Sequence, residues 1–351
     1  MRVSPGGPSR YTARLLARGV RLSAFSIVDA YPPDSPPRTR YEDVRALAEA
    51  CEAARLHTLW VAEHHFHPGG VCPSPPVLLA WLGAHTRALR LGVMVSVLPF
   101  HAPIELAEQY ALLDELLGGR LELGVGSGYI PMEFEGFGID PEEKRARFDA
   151  TLATLLAAFR GEEVVAPGGR GRPVRLNVRP RQRPHPPLRV AVQRREAIPF
   201  LARAGRSIAL VPYATLSGIP ELAEVIGEYR RHLPGGVPGH VAAAVHLYAG
   251  PRPDRARVHL GRYLESRRQT QSAHYLERVR EDPHRADPEF LEEAGFALFG
   301  SAPEVAERLR AYARAGVDEI LGIFDFGGLP TEEVVGSVRS LGAFPPEPTT
   351  A

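Results

Sequence analysis

At 351 residues, 44% hydrophobic and 24% charged, the chain can bury a large core, as one big barrel domain or as two ordinary ones. Its net charge of +1, with 42 Lys and Arg scattered among 41 Asp and Glu, leaves no basic face to track a phosphate backbone and argues against a nucleic-acid partner. Cys51 and Cys72 are the only cysteines and form no CxxC pair, so neither a zinc module nor a disulfide scaffold is expected, and the reducing cytoplasm is the expected compartment.

Residues 1–19 are basic, contain Pro and Gly and read as a flexible tail without the apolar run of a signal peptide. No later segment approaches the roughly 20 apolar residues of a membrane span. From residue 20 onward, runs rich in Val, Leu and Ile alternate with segments whose apolar residues recur at helical spacing. Strands are expected at 20–27, 58–62, 89–98, 120–126, 188–192, 207–211, 240–248 and 316–324. Helices are expected at 41–55, 103–117, 141–160, 196–204, 220–232 and 331–341. Eight strands alternating with helices imply a single α/β domain over 20–344, a (β/α)8 TIM barrel, with a doubly wound sheet as the alternative. Two segments read as insertions. Residues 162–187, after the fourth helix, are rich in Gly, Pro and Arg and suit a loop or small hairpin. Residues 254–299, between the seventh and eighth strands, carry extra helices punctuated by Pro283, Pro288 and Gly295. Their stretch 267–272 is polar enough to be solvated or mobile, and an insertion at that place is a candidate lid. Residues 345–351 form a second tail.

Chemistry concentrates where the second strand runs out, in Leu59-Trp60-Val61-Ala62-Glu63-His64-His65-Phe66. Neighbouring side chains at a strand end point to opposite sides, so one imidazole of the pair is expected to face the barrel mouth. A metal site built from Glu63, His64, His65 and His67 is the rival, but four ligands within five residues cannot all converge on one ion, and no HExxH-like cluster follows. No metal is expected. Gly124, Gly126 and Gly128 follow a strand with GxGxG spacing, not the GxGxxG of a dinucleotide fold. They suit close approach of backbone amides to an anion or flat ring, or a plain tight turn. Gln193-Arg194-Arg195 opens a helix with free amides and guanidinium groups suited to phosphate, or with two surface arginines. Phe25, Phe66 and Phe326, near strand ends, are candidates to line an apolar pocket.

The Trp60 to Phe66 motif is followed in order by Gly92-Val93-Met94-Val95-Ser96-Val97-Leu98-Pro99, by Leu112-Leu113-Asp114-Glu115-Leu116-Leu117-Gly118-Gly119-Arg120 and by Gly124-Val125-Gly126-Ser127-Gly128-Tyr129. Together with Gly300-Ser301-Ala302-Pro303-Glu304 and Phe324-Asp325-Phe326, this series resembles the bacterial luciferase-like, flavin-dependent monooxygenases. The likeness is strong from 23 to 138, weakens through the middle and returns near 300. It implies an FMN-dependent monooxygenase that uses reduced FMN and dioxygen to oxygenate a small apolar organic substrate through a flavin hydroperoxide. No nicotinamide motif is present, so a partner reductase would supply the reduced flavin. The resemblance makes His64 the proton-transfer residue, with Glu63 beside it. It places Met94 and Val95, joined by a cis peptide in many relatives, under the flavin ring. Gly126, Ser127, Gly128 and Tyr129 would contact the phosphate and ribityl chain, and Gln193, Arg194 and Arg195 the phosphate. Arg194 stands where the family often has a small hydroxyl residue. A homodimer is implied too. A deazaflavin-dependent oxidoreductase and a non-catalytic flavin-binding subunit are the alternatives the same motifs allow.

Overall fold

The computed structural model describes residues 19–342 except 33–34, 68, 167–170, 269 and 271–272. The two expected tails lie outside the described residues, apart from Gly19. Eight parallel strands form the barrel: β1 (Arg21–Ser26), β2 (Thr58–Val61), β3 (Arg90–Val97), β4 (Leu121–Gly126), β5 (Leu188–Val192), β6 (Ser207–Leu210), β7 (Val241–Ala249) and β9 (Glu319–Ile323). Each pairs with the next, and β9 pairs with both β7 and β1, which closes the ring. The eight barrel strands coincide with those expected from the sequence to within a few residues. A further strand, β8 (Ala297–Gly300), pairs with the end of β7 over His246–Ala249. Residues 254–299 thus hold, besides the expected extra helices, most of this strand: β7 overhangs the barrel and its free edge recruits a short apolar segment.

The helices Pro37–Ala53, Pro75–His85 and Pro103–Leu116 each begin on proline. Its fixed φ is preset for the first helical turn and its missing N–H is not needed there. Helix Pro75–His85 was not expected from the sequence, because its Pro-Pro-Val-Leu-Leu-Ala-Trp-Leu run is apolar on every side and shows no helical period. The helix that returns from β8 to β9, Ala302–Ala315, was also not expected. It starts with a capping box between Ser301 and Glu304 and ends on Gly316 at φ 93°, a left-handed stop that suits glycine. Between 161 and 187 the described residues make an antiparallel bridge, Val164 with Val174. No described helix is long and apolar enough to cross a membrane.

The N-terminal end of the barrel interior is filled by charge. Arg189 Nη1 donates to Glu122 Oε2 and Nη2 to Glu319 Oε2, both at 2.6 Å. Glu319 Oε1 accepts from Ser23 Oγ at 2.7 Å and from Trp60 Nε1 at 3.0 Å. The Trp60 indole lies across β3, where a Cβ on Gly92 would come within 2.5 Å of it. The paired charges and the packed indole close this floor, and leave the opposite end open for a site.

Candidate active site

The C-terminal ends of the eight barrel strands and their loops surround a cavity with about 1130 Å³ of empty space, counting its mouth. Phe25, Met94, Val95, Val97, Leu210 and Ile323 make the wall largely apolar.

Where β2 runs out, Glu63 is 2% exposed and both its oxygens are engaged. Oε1 meets His65 Nε2 at 3.1 Å and His101 Nε2 at 2.8 Å, while Oε2 accepts from Ser96 Oγ and the Val97 amide, each at 3.3 Å. Burial pushes this carboxyl up, but hydrogen bonds from His101 and His65 outweigh burial and hold it below its ordinary value. Glu63 is therefore a charged anchor tying the end of β2 to the end of β3.

His64 borders the cavity. Its Nδ1 lies 3.2 Å from Glu133 Oε1 and its Nε2 3.4 Å from Arg267 Nη1. A guanidinium can only donate, so Nε2 is the acceptor and Nδ1 carries the proton, donated to Glu133. Glu133 Oε1 also accepts the His65 amide at 2.9 Å, which fixes that oxygen as an acceptor. Burial, then the charge of Arg267, holds His64 well below the ordinary imidazole value, so the ring is neutral at physiological pH. Burial also raises the Glu133 carboxyl.

Arg267 Nη2 donates to Asp29 Oδ2 at 2.6 Å, and its guanidinium carbon lies 5.6 Å from the centre of the Tyr263 ring. Asp29 is aimed by Val28, a β-branched residue in the left-handed region at φ 59° whose amide donates to Ser26 Oγ at 3.2 Å. Such a conformation is costly and is kept where a turn has a job to do. Tyr213 and Tyr263, their hydroxyls 3.0 Å apart, also border the cavity.

His64, His67 and Glu133 bring ligand-type atoms within 4.8 Å of one another. Glu133 Oε1 is already occupied by two N–H donors, and the Arg267 cation beside His64 Nε2 would repel a dication. This is a hydrogen-bonded cluster with poor metal chemistry.

On β4, a Cβ at Gly124 would lie 2.6 Å from the Val93 carbonyl oxygen, and one at Gly126 would lie 2.6 Å from Val95 Cγ2. These glycines make room for Met94 and Val95, whose peptide bond is cis and where β3 shifts register against β4. Gly128, at φ 76°, turns the chain into Tyr129.

A family model described as luciferase-like monooxygenase matches residues 21–319. The chain belongs to that family. Protein y4wF of Sinorhizobium fredii, itself uncharacterised, is 39% identical over 199 residues, 55% of this chain and 57% of that relative. The oxygenase component of the flavin-dependent trigonelline monooxygenase of Acinetobacter baylyi is 23% identical over 326 residues, covering 88% of this chain and 90% of the relative. The crystal structure of the monooxygenase RslO1 from Streptomyces bottropensis aligns with a TM-score of 0.78 at 26% identity, over 92% of this chain and 98% of that one. The chain thus spans little more than half the length of y4wF and nearly all of the other two.

In this luciferase-like barrel the expected site residues divide. Phe25, Glu63, His64, Met94, Val95, Gly126, Ser127, Gly128, Tyr129 and Gln193 border the cavity. Arg194 and Arg195 do not: both are exposed, and Arg195 Nε pairs with Glu228 at 2.8 Å because the helix Ile219–His232 offers it carboxylates. Phe66 is also outside. It sits at φ 63° and is 57% exposed, its ring 5.0 Å from that of Phe137 and lying over Gly136, where a Cβ would collide with it at 2.4 Å. Phe326 is buried but belongs to the core, stacked on Phe299 of β8 at 5.6 Å and against His246 at 5.3 Å. The stretch expected to be solvated is in part interior: Arg267 and Thr270 are 4% and 5% exposed. Sequence reasoning missed Asp29, Glu133, Tyr263 and Arg267. Asp29 carried a usable signal, an acid just past an apolar strand, the same logic that singles out Glu63.

Proposed function

We propose that the protein is an FMN-dependent monooxygenase that takes reduced FMN and dioxygen and oxygenates a small organic substrate in the barrel-mouth cavity. The observation that carries this reading is a single cavity-facing imidazole, neutral and fixed in one tautomer, in a largely apolar chamber. The fit to a flavin rests on the β3–β4 floor: with Gly124 and Gly126 lacking side chains, Met94 and Val95 present a flat apolar shelf. Phe25 and that shelf would hold the ring faces, and Gln193 with the backbone of Gly126–Tyr129 would meet the polar edges.

Reduced flavin supplies two electrons to dioxygen, so that one oxygen atom enters the substrate and the other leaves as water. The protein's part is to exclude bulk water and control protons. The lone pair of His64 Nε2 is where a proton can be taken up, and the Nδ1–H bond to Glu133 keeps the ring from turning. Arg267, by its charge, disfavours the imidazolium until a reacting group needs it.

The description of the Acinetobacter baylyi relative as an oxygenase component supports a separate flavin reductase as transient supplier. Exposed Val77, Leu112 and Leu116, on the neighbouring helices Pro75–His85 and Pro103–Leu116, support a homodimer.

The test is to titrate the protein into FMN reduced under anaerobic conditions, admit dioxygen and follow flavin reoxidation by absorbance. Binding, with reoxidation at least tenfold slower than that of free FMN and accelerated by His64→Ala, is expected. Reoxidation at the free rate would overturn the oxygenase reading. Selective binding of a deazaflavin would replace it with hydride transfer.

A further inference from the structure

Arg267 is the guanidinium on the cavity wall, and its donors are not all used. Of its five N–H bonds, Nη2 serves Asp29 at 2.6 Å and Nη1 makes a long 3.4 Å contact with His64 Nε2. Nε has no open surface and no hydrogen-bond partner, and the same holds for Asp29 Oδ1, so the donors left for a molecule in the cavity are the second hydrogens of Nη1 and Nη2. Buried donors left unpaired are costly, and nearly all in native proteins find an acceptor. Arg267 also borders a second, much smaller recess with Asp29, Tyr31, His67, Ser266 and Thr270. Its guanidinium carbon lies 5.6 Å from the centre of the Tyr263 ring.

We propose that Arg267 forms an oxygen-acceptor subsite in the main cavity, and that the substrate is a ring compound carrying an uncharged carbonyl oxygen which that guanidinium receives. This rests on the monooxygenase reading and narrows its substrate class. The acceptor's charge follows from the neighbours. Asp29 already neutralises Arg267, and His64 is neutral. A second carboxylate would bring an unbalanced charge into a dry site, which is expensive. A carbonyl oxygen takes up a free Nη hydrogen without that penalty, and its bond to a charged donor is among the stronger kinds. The ring follows from the walls: Phe25, Tyr129, Tyr213 and Tyr263 all border the same space, and aromatic faces favour flat apolar partners. Placed there, the carbonyl carbon would be polarised next to the imidazole that handles protons. A substrate without such an oxygen would leave Arg267 unsatisfied.

The experiment uses three probes of similar shape, acetophenone, its apolar isostere isopropenylbenzene, and benzoate, with binding to the FMN-loaded protein measured by ligand-observed NMR. FMN affinity is measured first. If wild type fails to bind FMN, the flavin reading falls, while the probe series on the cofactor-free protein still decides the role of Arg267. Acetophenone is expected to bind at least tenfold more tightly than isopropenylbenzene and than benzoate. In Arg267→Met the preference over isopropenylbenzene should vanish with FMN affinity within twofold of wild type. Arg267→Lys keeps a cation for Asp29, guarding against a folding failure, and should retain only part of the preference. Asp29→Asn, which leaves the cation unbalanced, should turn the order toward benzoate. Equal binding of acetophenone and its isostere, a wild-type preference for benzoate, or loss of FMN binding in Arg267→Lys would each overturn the proposal.

Discussion

Replacing Gly126 by alanine tests whether the β4 glycines exist to accommodate β3. The added Cβ would lie 2.6 Å from Val95 Cγ2 and 3.3 Å from Val95 Cβ, against an optimum of about 3.5–4.0 Å between carbons. Rotating the valine does not relieve both contacts, and χ1 of a β-branched residue is stiff in any case. The strand has to move by about 1 Å, and overpacking of this kind costs about 1–3 kcal/mol. At about 2–4 °C per kcal/mol for a chain somewhat smaller than this one, Tm should fall by roughly 2–10 °C. Val95 also borders the cavity, so FMN affinity should drop at least tenfold. The control is Gly336→Ala, an exposed position in the interior of helix Thr331–Gly342 with nothing within 4 Å of its Cβ. It should stabilise by about 0.5–1 kcal/mol through helix propensity. Differential scanning fluorimetry and flavin-fluorescence titration read both. If Gly126→Ala melts within 1 °C of wild type and binds FMN within about twofold, the close-approach argument is wrong.

Arg189→Met should destabilise by about 3–5 kcal/mol, because it leaves the buried Glu319 carboxylate without its cation and Glu122 with Arg90 alone, and adding Glu319→Gln should recover part of that loss in urea unfolding. Parallel losses in the single and double variants would refute the coupling. His246 is fully buried among the rings of Tyr213, Tyr263 and Phe326, both nitrogens without partners, and burial pushes its pKa down to about 3. Its unfolded value is near 6.5, so the stability that depends on its neutrality is present above pH 6.5 and is lost as pH falls toward 3. At pH 5.5 that loss is about 1.4 kcal/mol, and His246→Phe should remove it, whereas parallel acid limbs for the two proteins would count against the assignment. Leu112→Glu with Leu116→Glu, one helical turn apart on an exposed face, should leave Tm nearly unchanged yet halve the mass seen by analytical ultracentrifugation. An unaltered mass would remove the support for a homodimer through that face.

What the sequence reveals here is set by how local the determining physics is. The eight barrel strands are legible because each is a short apolar run bounded by turn signals, and β2 is legible as a site because chemistry follows it immediately in Glu63, His64 and His65. Helix Pro75–His85 escapes because it is apolar all round, so the period that marks a helix is missing. β8 escapes because four apolar residues become a strand only when the overhang of β7 offers an edge.

Charge in the interior is the least legible feature, and for the same reason. The partners of Glu319 come from β1, β2 and β5, and an acidic residue at the start of a strand reads as a surface group until barrel closure brings Arg189 to it. Arg267 is the extreme case. Its run of Arg, Gln, Thr and Ser is what a solvated loop looks like, yet its two side-chain partners lie 203 and 238 residues earlier in the chain. Burying a guanidinium is tolerable only after Asp29 is aimed at it by the left-handed Val28, and neither the turn nor the pairing has a spacing that betrays it. The residue that most constrains what can bind beside His64 is therefore the one that composition argues should be in water, and a search for substrate determinants in such barrels gains more from buried, half-satisfied cations than from conspicuous aromatic residues such as Phe66, which here lies on the surface.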